Sequence, residues 1–163
     1  MTPDLTNAPV VDRVDAVAAA PDVYQAMVAF QQVAGKGLDP LLAELVRLRV
    51  SQINGCTFCM DLHTRAAREA GESEQRLDAL PAWRESTLFA PADRAALALC
   101  EALTLLPEAG VPDAVYKEAA ACFDETSLTH LLWTAAATNV WNRIGVATAM
   151  GRRTTQRPEA QGT

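Results

Sequence analysis

This sequence predicts an all-α fold, and three observations carry the prediction. Half of the 163 residues are hydrophobic, yet only 6% are aromatic, and alanine and leucine supply most of the apolar total. Runs of β-branched residues, which suit a pleated strand, are scarce. Apolar residues instead recur at three- and four-residue intervals between helix-capping and helix-breaking residues. The length suits one domain of about 100–200 residues with a substantial core.

Residues 1–20 hold Pro3 and Pro9 among small and polar residues, abut Pro21, and are expected to form an extended arm. A short apolar-periodic helix follows over Asp22 to Gln32, closed by Gly35 and Gly37. Asp39-Pro40 pairs a strong N-cap with a proline preorganised for a first turn. The helix it opens carries Leu42, Leu45, Val46, Val50 and Ile53 on one stripe and stops at Asn54-Gly55. Cys56 opens the next helix, which runs to Gly71 as a C′ residue. Ser73 caps a short helix through Leu80, ended by Pro81. Pro91 starts another, with Ala96, Leu99, Leu103 and Leu106 at helical spacing. After a turn over Pro107 to Pro112, a helix covers Asp113 to Cys122, and a long last one runs from near Ser127 towards Met150. That last helix has little polar surface from Ala135 to Val140, which predicts burial in its own subunit or against a second copy. The helical domain is expected to span residues 21–151, with 152–163 as a frayed tail.

The net charge of −6 argues against nucleic acid or an anionic membrane as partner. Arg47, Arg49, Arg65 and Arg68 are spread along helical faces and read as solvated surface. The start of the chain lacks the basic and apolar regions of a secretory signal, and no apolar run reaches the roughly 18 residues of a membrane span. A cytoplasmic location is expected. In that reducing compartment a C-x-x-C reads as catalytic or metal-binding.

Such a motif stands at Cys56-Thr57-Phe58-Cys59-Met60-Asp61-Leu62-His63. On a helix, Cys56, Cys59 and His63 share one face, and His63 lies at the i,i+4 position from Cys59. A helix amino end stabilises a thiolate, and an adjacent imidazole can take up the thiol proton. An imidazole serves best as a base when a partner orients it. Glu44 is a candidate partner, because a helix hairpin about Asn54-Gly55 would return it to the Cys59–His63 face. A solvated Glu44 is the plainer alternative.

A structural zinc is a second reading of the same three residues, but zinc takes about four ligands and no second ligand pair is in evidence. Cys100 and Cys122 lie in apolar patterns and read as buried small hydrophobes. His130 reads as a hydrogen-bonded histidine without a catalytic cluster, and Trp133 and Trp141 as packing or interface anchors. Phe58 and Met60 are expected to shape the surroundings of the thiols. No flavin or nicotinamide motif is present, so no cofactor is expected.

Glu44, the run from Cys56 to His63, Ala66-Ala67, Gly71 and Asn139-x-Trp141-Asn142-Arg143 together resemble the alkylhydroperoxidase D (AhpD)-like proteins of the carboxymuconolactone decarboxylase superfamily. The resemblance covers about Tyr24 to Val146. It implies a single-domain all-α fold whose subunits form trimers or hexamers, and a thiol-dependent peroxidase activity. By position, it implies that Cys59 is the peroxidatic cysteine and Cys56 its disulfide partner and a proton donor. It also makes His63 and Glu44 the proton relay. Asn142 and Arg143 are assigned to structure. The decarboxylases that name the superfamily lack the cysteine pair, so the resemblance points away from lactone decarboxylation.

The expected function is therefore an antioxidant enzyme that reduces hydroperoxides through a Cys56/Cys59 dithiol–disulfide cycle. Its reductant would be an external dithiol on a lipoyl-bearing or thioredoxin-like protein, as the resemblance implies. The alternative is a redox-responsive adaptor in which the disulfide switches a partner interaction and peroxide turnover is incidental.

Overall fold

Asp15 sets the first helical turn, with its carboxylate accepting from the amides of Val17 and Ala18. The computed structural model describes residues 11–155, and every regular element among them is helical. In chain order these are α1 (Ala16–Ala19), α2 (Pro21–Ala34), α3 (Pro40–Asn54), α4 (Thr57–Glu69), α5 (Glu74–Ala79), α6 (Pro91–Leu105), α7 (Asp113–Cys122), α8 (Glu125–Ala147) and α9 (Met150–Thr155). Two 3₁₀ segments, Gly35–Gly37 and Leu80–Glu85, complete the set.

The centre of the molecule is α3, which packs against α4, α6 and α8. Two of its faces feed two apolar clusters. Leu42, Val46 and Val50 meet Ala96 and Leu99 of α6 and Leu131 and Ala135 of α8. Leu45 and Leu48 meet Ala67 of α4, Leu80, Trp83 and Leu97. A helix with apolar residues on two faces can only be buried. α2 lies across α8, where Tyr24 meets Trp141 edge-on at 5.5 Å between ring centroids.

The boundaries of α3 follow from its caps. Asp39 accepts from the amides of Leu41 and Leu42 at 3.0 and 3.1 Å, with Pro40 in the first turn. Gly55 ends the helix in the left-handed region at φ 67°. Its amide donates to the Gln52 carbonyl and the next amide, of Cys56, to the Ser51 carbonyl. This is the Schellman pattern, and it turns the chain back on itself in two residues.

Four expectations about elements change. Residues 11–20 are not wholly extended, because Asp15 nucleates α1 and Arg13 donates to the Ala147 carbonyl at 2.7 Å, clasping the end of α8. Residues 1–10 lie outside the described residues. The short helix ends at Ala79, one residue before Leu80, and Pro81 stands in the first turn of a 3₁₀ segment that follows it and is kinked at Ala82. The last long helix starts two residues earlier than expected, because Asp124 is its N-cap and accepts from Ser127 at 2.7 Å. It also stops before Met150, at Ala147, and after a turn in which Ala149 takes φ 52° the chain resumes as α9, which includes the first residues of the expected tail; residues 156–163 lie outside the described residues.

Two of the four arginines read as solvated are not. Arg65 and Arg68 are exposed and pair with Asp61 and Glu74. Arg49 instead reaches the buried carboxylate of Glu101 at 2.7 Å, where Trp83 Nε1 and Arg84 also donate. Burial opposes the Glu101 charge, but these donors outweigh it and hold the carboxyl below the usual carboxylate range. The cluster ties α3, α6 and the second 3₁₀ segment together. Arg47 is the other exception. Cys100 is buried as expected, where burial pushes its thiol up out of the reactive range, whereas Cys122 ends α7 in an exposed position.

Candidate active site

The hairpin that Gly55 makes between α3 and α4 brings the motif residues together. Cys56 is the N-cap of α4 rather than its first residue, and its Sγ accepts from the Cys59 amide at 3.3 Å. One turn on, Cys59 is bonded to Cys56 in a disulfide with sulfurs 2.09 Å apart. Both residues are almost wholly buried. His63, a further turn along the same face, is buried as well.

Glu44 lies on α3, twelve residues before Cys56, and the hairpin places its carboxylate opposite α4. His63 Nδ1 donates to Glu44 Oε2 at 2.9 Å. Arg47, one turn along α3, donates to the other oxygen, Oε1. Burial works against the Glu44 charge, yet the His63 hydrogen bond and the nearby Arg47 guanidinium together keep its carboxyl below the ordinary range. An ionised carboxylate only accepts, so Nδ1 carries the proton and Nε2 is left as the basic nitrogen of the ring. A histidine held by a carboxylate in this way has Nε2 free to accept a proton.

The two sulfurs look onto different spaces. Cys59 and His63 line a cavity of about 630 Å³ with walls from α1, α2, α3, α4, α8 and α9. Phe58, Leu62, Tyr24 and Trp141 make it largely apolar. Met60, expected near the thiols, instead packs against the cluster around Trp83. Cys56 faces a smaller cleft of about 230 Å³ between Gly55, Gly145 and Gly151. At Gly145 α8 passes close to the disulfide. A Cβ there would lie 3.0 Å from Cys56 Sγ and 3.5 Å from Cys59 Sγ.

The late Asn-x-Trp-Asn-Arg segment supports this hairpin from behind. Asn142 is fully buried, donates to Ser51 Oγ at 3.1 Å and accepts from Asn54 Nδ2 at 2.9 Å. Asn139 accepts from the same Asn54 amide at 2.9 Å and from Arg143 at 2.7 Å. These bonds lock the last turn of α3, and with it the position of Cys56. His130 donates through Nδ1 to the Ala34 carbonyl at 2.8 Å, far from the thiols in role. Among the described residues, no group of three or more His, Cys, Asp or Glu side chains is placed to hold a metal ion, and no helix is long and apolar enough to cross a membrane.

Reading the sequence gives Trp141 only as a packing or interface anchor, although it lines the cavity, and puts Arg47 on the solvated surface, although it holds Glu44. The i,i+3 spacing of Arg47 from Glu44 was the available signal, since such positions are neighbours on a helix.

Fold and site thus define a class: an all-helical protein with a C-x-x-C disulfide at a helix start, backed by a histidine–glutamate pair. The carboxymuconolactone decarboxylase family model matches residues 21–102, which include Glu44, both cysteines and His63. The chain is 46% identical over 110 residues to the uncharacterised protein YdfG of Bacillus subtilis, covering 68% of this chain and 74% of YdfG. It is 46% identical over 55 residues to the alkyl hydroperoxide reductase AhpD of Solibacter usitatus, a stretch covering 32% of this chain and 31% of that protein. The crystal structure of ATU0492 from Agrobacterium tumefaciens, a protein of unknown function ascribed to antioxidant defence as an AhpD, superposes with a TM-score of 0.81 at 33% identity. It covers 91% of this chain and the whole of that one. The protein belongs to the carboxymuconolactone decarboxylase family and is an AhpD-like member of it.

Proposed function

We propose that this protein is a thiol-dependent hydroperoxide reductase that cycles Cys56 and Cys59 between dithiol and disulfide. The observation that carries the reading is the joint placement of Cys59 and of a His63 held by Glu44 on one largely apolar cavity. In the reduced protein His63 Nε2 takes the Cys59 proton. The thiolate attacks the terminal oxygen of the hydroperoxide, the O–O bond breaks, and the alkoxide leaves as the alcohol with that proton. Cys59 is then a sulfenic acid. Cys56 attacks its sulfur, water leaves, and the disulfide seen here forms.

Two electrons must return from outside the chain, from a dithiol that exchanges with the disulfide and leaves oxidised. A lipoyl-bearing or thioredoxin-like protein supplies that chemistry, and the cytoplasm is the compartment that keeps such dithiols reduced. In the test, the oxidised protein is reduced, freed of reductant and mixed with an organic hydroperoxide. The expected result is one alcohol formed per two thiols lost, and sustained turnover when a dithiol is supplied. Turnover no faster than the free dithiol alone would overturn the reading in favour of a redox-switched adaptor.

The same reading includes a homo-oligomer, a trimer or hexamer. Its support is the apolar residues left exposed on α8 and α2, among them Trp133, Val140, Ile144, Val23 and Val33. Sedimentation at micromolar concentration is expected to give a multiple of the 17.5 kDa chain mass, and a monomer would remove the oligomer from the proposal.

A further inference from the structure

Two of the side chains that line the cavity in front of Cys59 carry a buried hydrogen-bond donor with no partner. Arg47 lines it, with its Nη1 committed to Glu44, while its Nε is buried and has no partner. Trp141 lines it from α8, and its Nε1 is likewise buried without a partner. Both groups are donors only, so nothing but an acceptor can satisfy them. Buried donors left unpaired are uncommon in native proteins, and each asks for an explanation.

The guanidinium occupies space that Gly35 leaves open. It lies so close to Gly35 that a Cβ there would sit 2.3 Å from Arg47 Nη2. Gly35 has ordinary negative φ, so the space it leaves, rather than any backbone strain, is what accommodates the arginine. No aspartate or glutamate lines the cavity among the described residues. Its remaining polar walls are Gln31, Gln32 and His63, and the rest is apolar or aromatic. A volume of about 630 Å³ falls in the range that encloses a ligand of many carbons, far more than hydrogen peroxide needs.

Resting on the peroxidase reading, we propose that this cavity selects organic hydroperoxides that carry a carboxylate, with Arg47 and Trp141 as its specificity-determining residues. The apolar walls bury the hydrocarbon body, the peroxide oxygen meets Cys59, and the carboxylate takes the donors of Arg47 and Trp141. Each nitrogen is screened from solvent at rest, so in this proposal a small shift of each side chain on binding brings it to the ligand oxygen. Arginine matches a carboxylate with paired donors, which a neutral ester cannot exploit as a charge-assisted bond.

The test compares linoleic acid hydroperoxide with its methyl ester on the full chain, and the corresponding hydroxy acid and hydroxy ester as unreactive probes. Calorimetry on the oxidised protein is expected to give at least about tenfold tighter binding of the hydroxy acid than of its ester. Reduced protein should show the same preference in kcat/KM. Arg47→Gln is expected to bring the acid-to-ester ratio near one in both measurements, whatever loss the two substrates share through Glu44. Trp141→Phe keeps the ring, removes the donor, and should lower the ratio about threefold. Equal binding of acid and ester by the unaltered protein, or a preference that survives Arg47→Gln, would overturn the proposal. A protein that binds the acid selectively yet consumes neither hydroperoxide would overturn the peroxidase reading and leave the ligand class standing.

Discussion

Replacement of Cys59 by serine is expected to abolish hydroperoxide turnover, a loss of at least about 10³-fold, while Cys56→Ser keeps a single chemical event. The asymmetry follows from where the sulfurs face. Cys59 shares the large cavity with His63, so a peroxide placed there meets a sulfur with a base at hand. Cys56 faces the cleft under Gly145, and its sulfur is engaged by the Cys59 amide at the start of α4. A Cys56→Ser protein should therefore reduce one equivalent of peroxide in a burst and stop with a sulfenic acid at Cys59, trapped by dimedone and read by mass spectrometry. Neither variant can form the disulfide. Any effect of the lost crosslink on stability is thus common to both, and Cys56→Ser is the control for Cys59→Ser. Full activity in Cys59→Ser, or a burst that follows Cys59 rather than Cys56, would exchange or remove the roles.

The hairpin that makes this possible was legible in the sequence because its signals are local. Asp39-Pro40 and Asn54-Gly55 specify the two ends of α3 through local backbone chemistry, and the i,i+4 step from Cys59 to His63 follows from helix geometry alone. What the sequence could not show was which exposed-looking side chains face a neighbour. Arg47 and Arg65 both read as solvated, yet α3 is wrapped on several sides and α4 leaves Arg65 in solvent. Cys122 misled in the opposite sense. Its apolar neighbours imply burial, but α7 ends there and turns that face outward. The cavity was illegible for the same reason, since its walls come from six helices that no spacing rule connects. The Glu44–His63 pair was half legible: a hairpin would return Glu44 to the face of His63, but only the structure gives the bond between them.

Glu44→Gln is the second large effect expected, a fall of about 10²-fold in kcat/KM for hydroperoxide with the fold retained. Glutamine matches the shape but presents a neutral amide to His63, so the imidazole loses the anion that fixes its Nδ1 proton and balances the charge it gains from Cys59. Arg47 would at the same time lose its ionic partner. The stability change has a definite pH sign. Glu44 has its folded pKa lowered from an ordinary 4.5, against the opposing effect of burial. Its ionic contribution to stability is therefore complete above that value and is lost as pH falls through the lower folded value. Urea unfolding of the two proteins should differ at pH 7, and the difference should shrink as the medium is made acidic. A variant as unstable relative to the parent in acid as at neutrality would mean that glutamine fails by packing. A variant of unchanged activity would mean that His63 works without its carboxylate. If the rate falls while the unfolding difference follows the acid limb of Glu44, the carboxylate acts through its charge on His63, as the 2.9 Å bond between them implies.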